Sequence, residues 1–351
     1  MERALFRIID ANFNRGREAV RTMEEYCRFA LNDAGLSSRA KTLRHSLCTI
    51  VKQFDPGLLI ANRDVQGDVG RQMRVEGQLC RSTLSECFIA AAKRLTEALR
   101  VLAEAVQTFD PAMAADFERL RFDAYALEKD ALVFSSTTAK FSSVKLYVLL
   151  TITKDTDDEQ IINLARTCVG AGVNCLQLRP KGISDSRSLH LANEIVSICR
   201  DGDVLSIIND RIDIAICCGA DGVHLGQDDI SVEQARQLQM SPMIVGLSTH
   251  SIDQLKDAID QRPDYVALGP VFATGTKPSA EPVGIKYVSE ALDILADGNI
   301  AHVAIGGITP ENIGQVLAAG ARTIAVSSAV TDAKTPENIC CQLKESLSSV
   351  S

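Results

Sequence analysis

Charged residues follow several short apolar segments in the C-terminal two-thirds of the sequence. Arg179 and Lys181 flank Pro180 directly after one such segment, and Asp210 and Asp229 follow the next two. Two cations on either side of one residue can bind the same polyanion. Paired carboxylates suit Mg²⁺, which keeps water and phosphate oxygens as its remaining ligands. These residue types therefore predict a site for a magnesium-bound diphosphate.

A second group of positions is suited to a separate monophosphate. Gly306 and Gly307 form one pair and Ser327 and Ser328 form another, each directly after a late apolar segment. Backbone N–H groups at such positions commonly bind phosphate. Lys277, in a long loop between the two sets, is a third cation for the diphosphate. We therefore expect two anion sites.

The histidines offer little acid–base chemistry. His224 and His302 lie within apolar segments and His190 lies in a helical pattern, so all three are interpreted as structural. His250 follows an apolar segment and is the one weak catalytic candidate. We predict no catalytic residue beyond the substrate and metal ligands, because expulsion of a diphosphate depends mainly on electrostatic stabilisation.

The elements that must position these residues alternate between strand and helix. Eight apolar, β-branched segments, each followed by a helix-compatible stretch, occupy residues 145–152, 175–179, 204–210, 222–226, 243–249, 265–270, 302–307 and 323–328. Eight such units fit an α/β fold of the (β/α)₈ TIM-barrel type better than an open sheet. The carboxyl ends of the strands then share one rim, where the polar residues meet. Each motif alone has an ordinary alternative, such as a helix N-cap at 209–210.

The N-terminal part reads as a smaller all-α domain, residues 1–134. Helical periodicity covers residues 8–31, 84–106 and 112–133. Residues 135–143 are small and polar, which predicts a linker. The barrel domain is expected over residues 144–351.

Composition excludes several classes of protein. The 351 residues carry a net charge of −8, with no basic half that could serve as a nucleic-acid footprint. No apolar run is long enough for a membrane span, and the charged N-terminus is unlike a signal peptide. Eleven cysteines without a C-x-x-C pair are expected to be free thiols. We expect a cytoplasmic protein with small-molecule substrates, and a second copy of the chain stays a candidate partner.

The barrel motifs, in this order, resemble the thiamine phosphate synthase (thiamine-phosphate pyrophosphorylase) family over residues 144–345. They are Q-L-R-x-K at 177–181, I-N-D at 208–210, D-G-V-H-L-G-Q-x-D at 221–229, G-L-S-T-H at 246–250, G-P-V-F-x-T-x-T-K at 269–277 and I-G-G-I at 305–308. The resemblance implies a transferase of thiamine biosynthesis. It joins 4-amino-2-methyl-5-hydroxymethylpyrimidine diphosphate to thiazole phosphate, giving thiamine phosphate and pyrophosphate by magnesium-assisted, dissociative loss of diphosphate.

The resemblance also implies roles for individual residues. The pyrimidine diphosphate would be bound by Gln177, Arg179, Lys181, Asn209, Ser248 and Lys277. The thiazole phosphate would be bound by Thr274, Thr276, Gly307, Ser327 and Ser328. Magnesium would be held by Asp210 and Asp229. Two positions depart from the family pattern: Pro180 replaces an acidic residue, and Ser327 replaces an apolar one, so that its contact with phosphate is expected through the backbone.

The N-terminal part resembles the helical extension fused to some bacterial members of this family. The similar segments are residues 10–25, 43–47 and 63–70. The resemblance implies a hydroxymethylpyrimidine phosphate kinase, although no G-x-x-x-x-G-K-[ST] loop is present. The candidate site residues are Arg44, His45, Asp64 and Asp68. The alternative is a purely structural helical module for packing or dimerisation.

Two other readings of the barrel stay open. A thiazole tautomerase shares the barrel and the thiazole phosphate site, but it would not need Arg179, Lys181 and both aspartates together. A non-catalytic sensor of thiamine metabolites is the second alternative, and the intact magnesium and diphosphate residues disfavour it.

Overall fold

A computed structural model of the chain describes residues 2–69, 80–239, 241–275, 281–296, 298 and 300–349. The chain divides into two compact units, Met1–Ser135 and Ser136–Ser351. No helix in the described ranges is long and apolar enough to cross a membrane.

The first unit is built from helices. They are α1 (Glu2–Glu25), a π-helical turn (Tyr26–Ala30), α2 (Ala34–Val51), α3 (Pro56–Ala61), α4 (Leu84–Val106) and α5 (Pro111–Ser142). Residues 136–142 of α5 belong to the second unit. Side-chain caps fix two of the helix starts, because Asp33 accepts a hydrogen bond from the Leu36 N–H and Thr83 accepts one from the Glu86 N–H. The predicted helix over residues 84–106 coincides with α4.

The core of this unit depends on the buried face of α4. Leu95 is fully buried there, whereas Leu84 on the same helix is 69% exposed. We expect Leu95→Ala to lower the free energy of unfolding by about 2–5 kcal/mol, through lost burial and the cavity left behind. Leu84→Ala is the matched control and should change it by less than about 0.5 kcal/mol. Urea denaturation of both variants measures the difference, and equal effects would contradict the assignment of the core face.

The second unit is a closed barrel of eight parallel strands in sequential order, which confirms the predicted TIM barrel. The strands are β1 (Leu146–Ile152), β2 (Cys175–Pro180), β3 (Leu205–Asn209), β4 (Gly222–Leu225), β5 (Ile244–Thr249), β6 (Tyr265–Leu268), β7 (Ala301–Ile305) and β8 (Ile324–Val326). The helices are α6 (Asp158–Gly170), α7 (Asp185–Asp201), α8 (Ile212–Cys218), α9 (Val232–Leu238), α10 (Ile252–Gln261), α11 (Gly284–Leu295), α12 (Ile313–Ala318), α13 (Ser328–Thr331) and α14 (Pro336–Ser348).

Alternate residues of each strand face the two sides of the barrel wall. On β1, Leu146, Val148 and Leu150 pack with the surrounding helices, whereas Tyr147 and Leu149 pack in the interior. Strands buried on both faces are apolar throughout, which is why their positions were visible in the sequence.

The segment predicted as a linker, residues 135–143, is helical over most of its length. Residues 135–142 continue α5 as a helix to Ser142. The reason is tertiary contact, which overrides the weak helix propensity of serine and threonine. Phe141 stacks on Tyr265 of the barrel at a centroid distance of 4.4 Å, and Lys140 forms an ion pair with Asp203 at 2.6 Å.

Candidate functional site

A cavity lies at the carboxyl ends of the barrel strands. Eight residues predicted from sequence line it: Gln177, Arg179, Asn209, Ser248, Thr274, Gly307, Ser327 and Ser328. They come from β2, β3 and β5 and from the segments that follow β6, β7 and β8. Thr276 and Lys277 lie outside the described residues.

Arg179 is a buried cation in the wall of this cavity. Only 8% of the residue is exposed, and burial lowers the pKa of its guanidinium, an effect that the nearby charge of Asp210 opposes. A buried arginine offers a rigid fork of N–H donors with little competing solvation. The position therefore suits a phosphate group.

Asp210 and Asp229 lie within hydrogen-bonding reach of each other. Burial, followed by the neighbouring charge of Asp210, raises the pKa of Asp229. Burial would also raise the pKa of Asp210, but the hydrogen bond from Lys181, at 2.7 Å, and its charge lower it. Two facing carboxylates repel each other unless a proton or a cation lies between them.

The backbone fixes where these carboxylates point. Asp210 has φ +62°, a left-handed conformation that is uncommon for residues other than glycine. Its N–H donates to the His224 carbonyl oxygen at 2.8 Å, which ties the residue to β4. Asp229 Oδ2 accepts from the Gly226 N–H at 2.7 Å. Both side chains are thus oriented before any ligand arrives.

The donor set fits magnesium. Hard oxygen ligands are present in Asp210 and Asp229, and Mg²⁺ is commonly bound by one or two carboxylates plus water and phosphate. Among the described residues, no group of three or more His, Cys, Asp or Glu side chains could form a complete protein cage for a metal. The two carboxylates suit an ion whose remaining ligands are water and phosphate oxygens.

Bare backbone lies after β7. Gly306 and Gly307 have φ values of +105° and +62°. A Cβ atom on Gly306 would lie 2.5 Å from Pro270 Cα, and one on Gly307 would lie 2.4 Å from the Ala273 carbonyl oxygen. Glycine is required at both positions, and the close packing leaves backbone lining the cavity.

Ser327 uses its hydroxyl within the protein. Its Oγ donates to the Leu149 carbonyl oxygen at 3.1 Å, so its hydroxyl proton is already used within the protein. His250 is also engaged, because its Nδ1 hydrogen-bonds to the Gly269 carbonyl oxygen. That contact ties the end of β5 to the loop after β6.

Sequence reasoning missed three side chains of the cavity wall. Tyr147, His224 and Tyr265 line it, whereas the sequence predicts only a structural role for His224. The alternation of inward-facing and outward-facing residues along each strand could have revealed these three side chains. Gln177 and Ser248, which were found, share the inward phase of their strands with these three residues.

The candidate residues of the first unit make separate contacts. Arg44 Nε donates to Glu24 at 2.8 Å, Asp64 accepts from the Gly67 N–H at 2.8 Å, and His45 is exposed. Asp68 is exposed as well.

Two buried carboxylates of this unit were missed. Asp10, which is 7% exposed, accepts two hydrogen bonds from Arg63 at 2.7 and 2.6 Å. Burial would raise the pKa of Glu24, but the hydrogen bond from Arg44 lowers it. These ion pairs join segments distant in sequence, so spacing alone did not reveal them.

Comparison with known families covers both units. Residues 148–330 match the family model described as thiamine monophosphate synthase, and residues 7–130 match that of the ThiD2 family.

Similar proteins cover nearly the whole chain. The thiamine-phosphate synthase of Synechocystis sp. is 36% identical over 347 residues, which are 99% of this chain and 97% of that protein. The thiamine-phosphate synthase of Rhodopirellula baltica is 36% identical, covering 93% of this chain and 88% of that protein. Among solved structures, the thiamine phosphate pyrophosphorylase from Pyrococcus furiosus is 28% identical with a TM-score of 0.53, and the match covers 60% of this chain and 98% of that one.

Proposed function

The chain belongs to the thiamine monophosphate synthase family, and from that premise we propose how its barrel performs the reaction. The barrel joins 4-amino-2-methyl-5-hydroxymethylpyrimidine diphosphate to thiazole phosphate, releasing pyrophosphate and forming thiamine phosphate. The observation that carries this proposal is the placement of buried Arg179 beside the Asp210–Asp229 pair, on the same rim as the bare backbone after β7.

Each of the two anion sites binds one of the two substrates. Arg179 and Lys181 bind the diphosphate and stabilise negative charge as it leaves. Gln177, Asn209 and Ser248 hold the rest of the pyrimidine ester, and Lys277 is an additional cation proposed from sequence. The thiazole phosphate is bound by Thr274, Thr276, Gly307, Ser327 and Ser328. The thiazole nitrogen then attacks the pyrimidine methylene carbon from which diphosphate has departed.

Asp210 and Asp229 are proposed to hold Mg²⁺. At these two carboxylates a bound Mg²⁺ would supply Lewis-acid stabilisation for the departing diphosphate. Lys181 pairs with Asp210 at 2.7 Å, which keeps its ammonium group beside the same anion.

A direct assay tests the barrel reaction. Purified protein with both substrates and Mg²⁺ is expected to release one pyrophosphate per thiamine phosphate formed, and EDTA should abolish the release. Restoring excess Mg²⁺ controls for unfolding by the chelator. Activity that persists without any divalent ion would refute the carboxylate assignment.

The tautomerase and sensor alternatives rank lower because neither uses the buried Arg179 with two carboxylates. They predict binding of thiazole phosphate without pyrophosphate release. The same assay therefore separates them from the synthase.

For the first unit we propose phosphorylation of hydroxymethylpyrimidine phosphate by ATP, which would supply the substrate of the barrel. The match of residues 7–130 to the ThiD2 family supports this assignment. The alternative is a structural module.

The kinase proposal predicts ADP formation. Full-length protein with ATP and hydroxymethylpyrimidine phosphate, but no thiazole phosphate, should form ADP and pyrimidine diphosphate in equal amounts. Arg44→Ala should reduce ADP formation while pyrophosphate release by the barrel stays unchanged. Asp116→Asn, on the exposed surface of α5, is the control. Absence of ADP above background hydrolysis would favour the structural module.

We also propose a cytoplasmic location. All eleven cysteines are free, and free thiols are typical of reducing compartments.

A further inference from the structure

A chain of hydrogen bonds crosses the barrel interior beneath the cavity. Gln177 Nε2 donates to the Tyr147 hydroxyl at 2.7 Å, and that hydroxyl lies 3.1 Å from the Tyr265 hydroxyl. The Tyr265 hydroxyl lies 2.9 Å from His224 Nδ1, and His224 Nε2 lies 2.9 Å from Ser248 Oγ. All five residues are at least nine-tenths buried. The chain begins and ends at residues of the cavity wall.

Proton counting gives the chain a direction. Tyr147 already accepts from Gln177, so its single proton needs an acceptor. Donation to Tyr265 provides one, and Tyr265 then donates to His224 Nδ1. In the reverse direction, the Tyr147 hydroxyl would accept hydrogen bonds from both Gln177 and Tyr265. Its own proton could then be donated only to the sulfur of Cys175, which is a weak acceptor. Burial raises the pKa of both phenols well above the ordinary value, so both keep their protons.

The direction determines what the two ends present to the cavity. An imidazole that accepts at Nδ1 carries its proton on Nε2 and donates it to Ser248 Oγ. The Ser248 hydroxyl proton is then available for a ligand. At the other end, Gln177 Oε1 is buried and has no hydrogen-bond partner among the described residues. The cavity therefore offers one donor and one unsatisfied acceptor.

Tyr265, in the middle of the chain, is held in place on two sides. Phe141 stacks on its ring at 4.4 Å. Gly246 leaves the space for the same ring, since a Cβ there would lie 2.1 Å from Tyr265 Cζ. The phenol cannot turn away from His224 without disturbing the packing.

We propose that Tyr147, Tyr265 and His224 are positioning residues that fix this donor–acceptor polarity and thereby select an aminopyrimidine ring. An exocyclic N–H of the ring donates to Gln177 Oε1, and an unprotonated ring nitrogen accepts from Ser248. A 4-oxo analogue would place an acceptor against Gln177 and is rejected, because buried polar groups would be left unpaired. This selectivity rests on the proposed function, whereas the direction of the chain does not.

The tautomer of His224 tests the direction without any substrate. Full-length protein labelled with ¹⁵N-histidine is examined by NMR at neutral pH, and the His224 signals are assigned by their loss in His224→Gln. We expect a proton on Nε2 and an unprotonated, hydrogen-bonded Nδ1. A proton on Nδ1 alone would overturn the proposal whatever the activity.

Substrate discrimination tests the consequence. Wild-type kcat/KM is expected to favour the 4-amino over the 4-oxo pyrimidine diphosphate by about 10⁴-fold. Tyr265→Phe removes the donor to Nδ1, so the ratio should fall by about tenfold or more. Tyr287→Phe is the matched control, because its buried hydroxyl donates to Thr249 Oγ1 at 2.8 Å, outside the chain, and it should keep the wild-type ratio.

The outcomes are distinguishable. An unchanged ratio in Tyr265→Phe contradicts the proposal. If the wild-type protein releases no pyrophosphate while His224 carries its proton on Nε2, the proposed function fails and the direction of the chain is upheld.

Discussion

Asp210→Asn is expected to lower kcat/KM for pyrophosphate release by about 10²–10³-fold, in the range of losses seen when one stabilising group of a charged transition state is removed. Asparagine tolerates left-handed backbone conformations, so the φ of +62° at this position can be kept. The substitution then removes the charge and little else. Initial rates at increasing Mg²⁺ should also show a higher apparent requirement for the metal.

A neighbouring aspartate provides the control for this variant. Asp228 is exposed and precedes Asp229 in the same loop, so Asp228→Asn removes an equal charge from the same region. It should keep the wild-type rate and metal requirement. If both variants lose activity alike, the cause is a change in the overall electrostatic potential of the rim. The proposal that Asp210 binds the metal would then be contradicted.

Arg179→Ala is expected to lower kcat/KM by about 10–100-fold, because a charge-assisted hydrogen bond contributes about 1.5–3 kcal/mol. The loss should appear in KM and kcat together, since the proposed role of the guanidinium is to bind the diphosphate in the ground state and to stabilise its growing charge. Arg179→Lys should recover part of the loss, because it restores charge without the bidentate fork.

Arg236→Ala is the control for the arginine variant. Arg236 is also partly buried and forms an ion pair with Asp264 at 3.2 Å, but Asp264 precedes β6 and lies at the opposite end of the barrel. Removing the Arg236 side chain should lower the free energy of unfolding while leaving kcat/KM close to the wild-type value. Kinetics of Arg179→Ala that equal those of the wild type would exclude Arg179 from the diphosphate site.

The sequence was most informative where burial is uniform. Strands such as β1 and β5 are enclosed on both faces, so their apolar runs were visible with errors of one or two residues at the ends. The rim residues were predictable because they follow those runs directly. The helical conformation of residues 135–142 was not predictable, because local composition does not reveal the contacts of Phe141.

The interior of the site was harder to predict than its rim. Tyr147, His224 and Tyr265 lie within strands, where a single polar residue in an apolar run usually has no functional meaning. Their importance comes from contacts between strands far apart in sequence, as with Asp10 and Arg63 in the first unit. Spacing along the chain does not encode such pairings.

The stacking of Phe141 on Tyr265 has a practical consequence for expressing the barrel on its own. A shortened protein that starts at residue 144, where composition places the beginning of the barrel, would lack this aromatic plug and the Lys140–Asp203 ion pair. Water could then enter the barrel interior next to the Tyr147 and Tyr265 hydroxyls. An excised barrel therefore needs the final turn of α5, although that turn looks like dispensable spacer in the sequence.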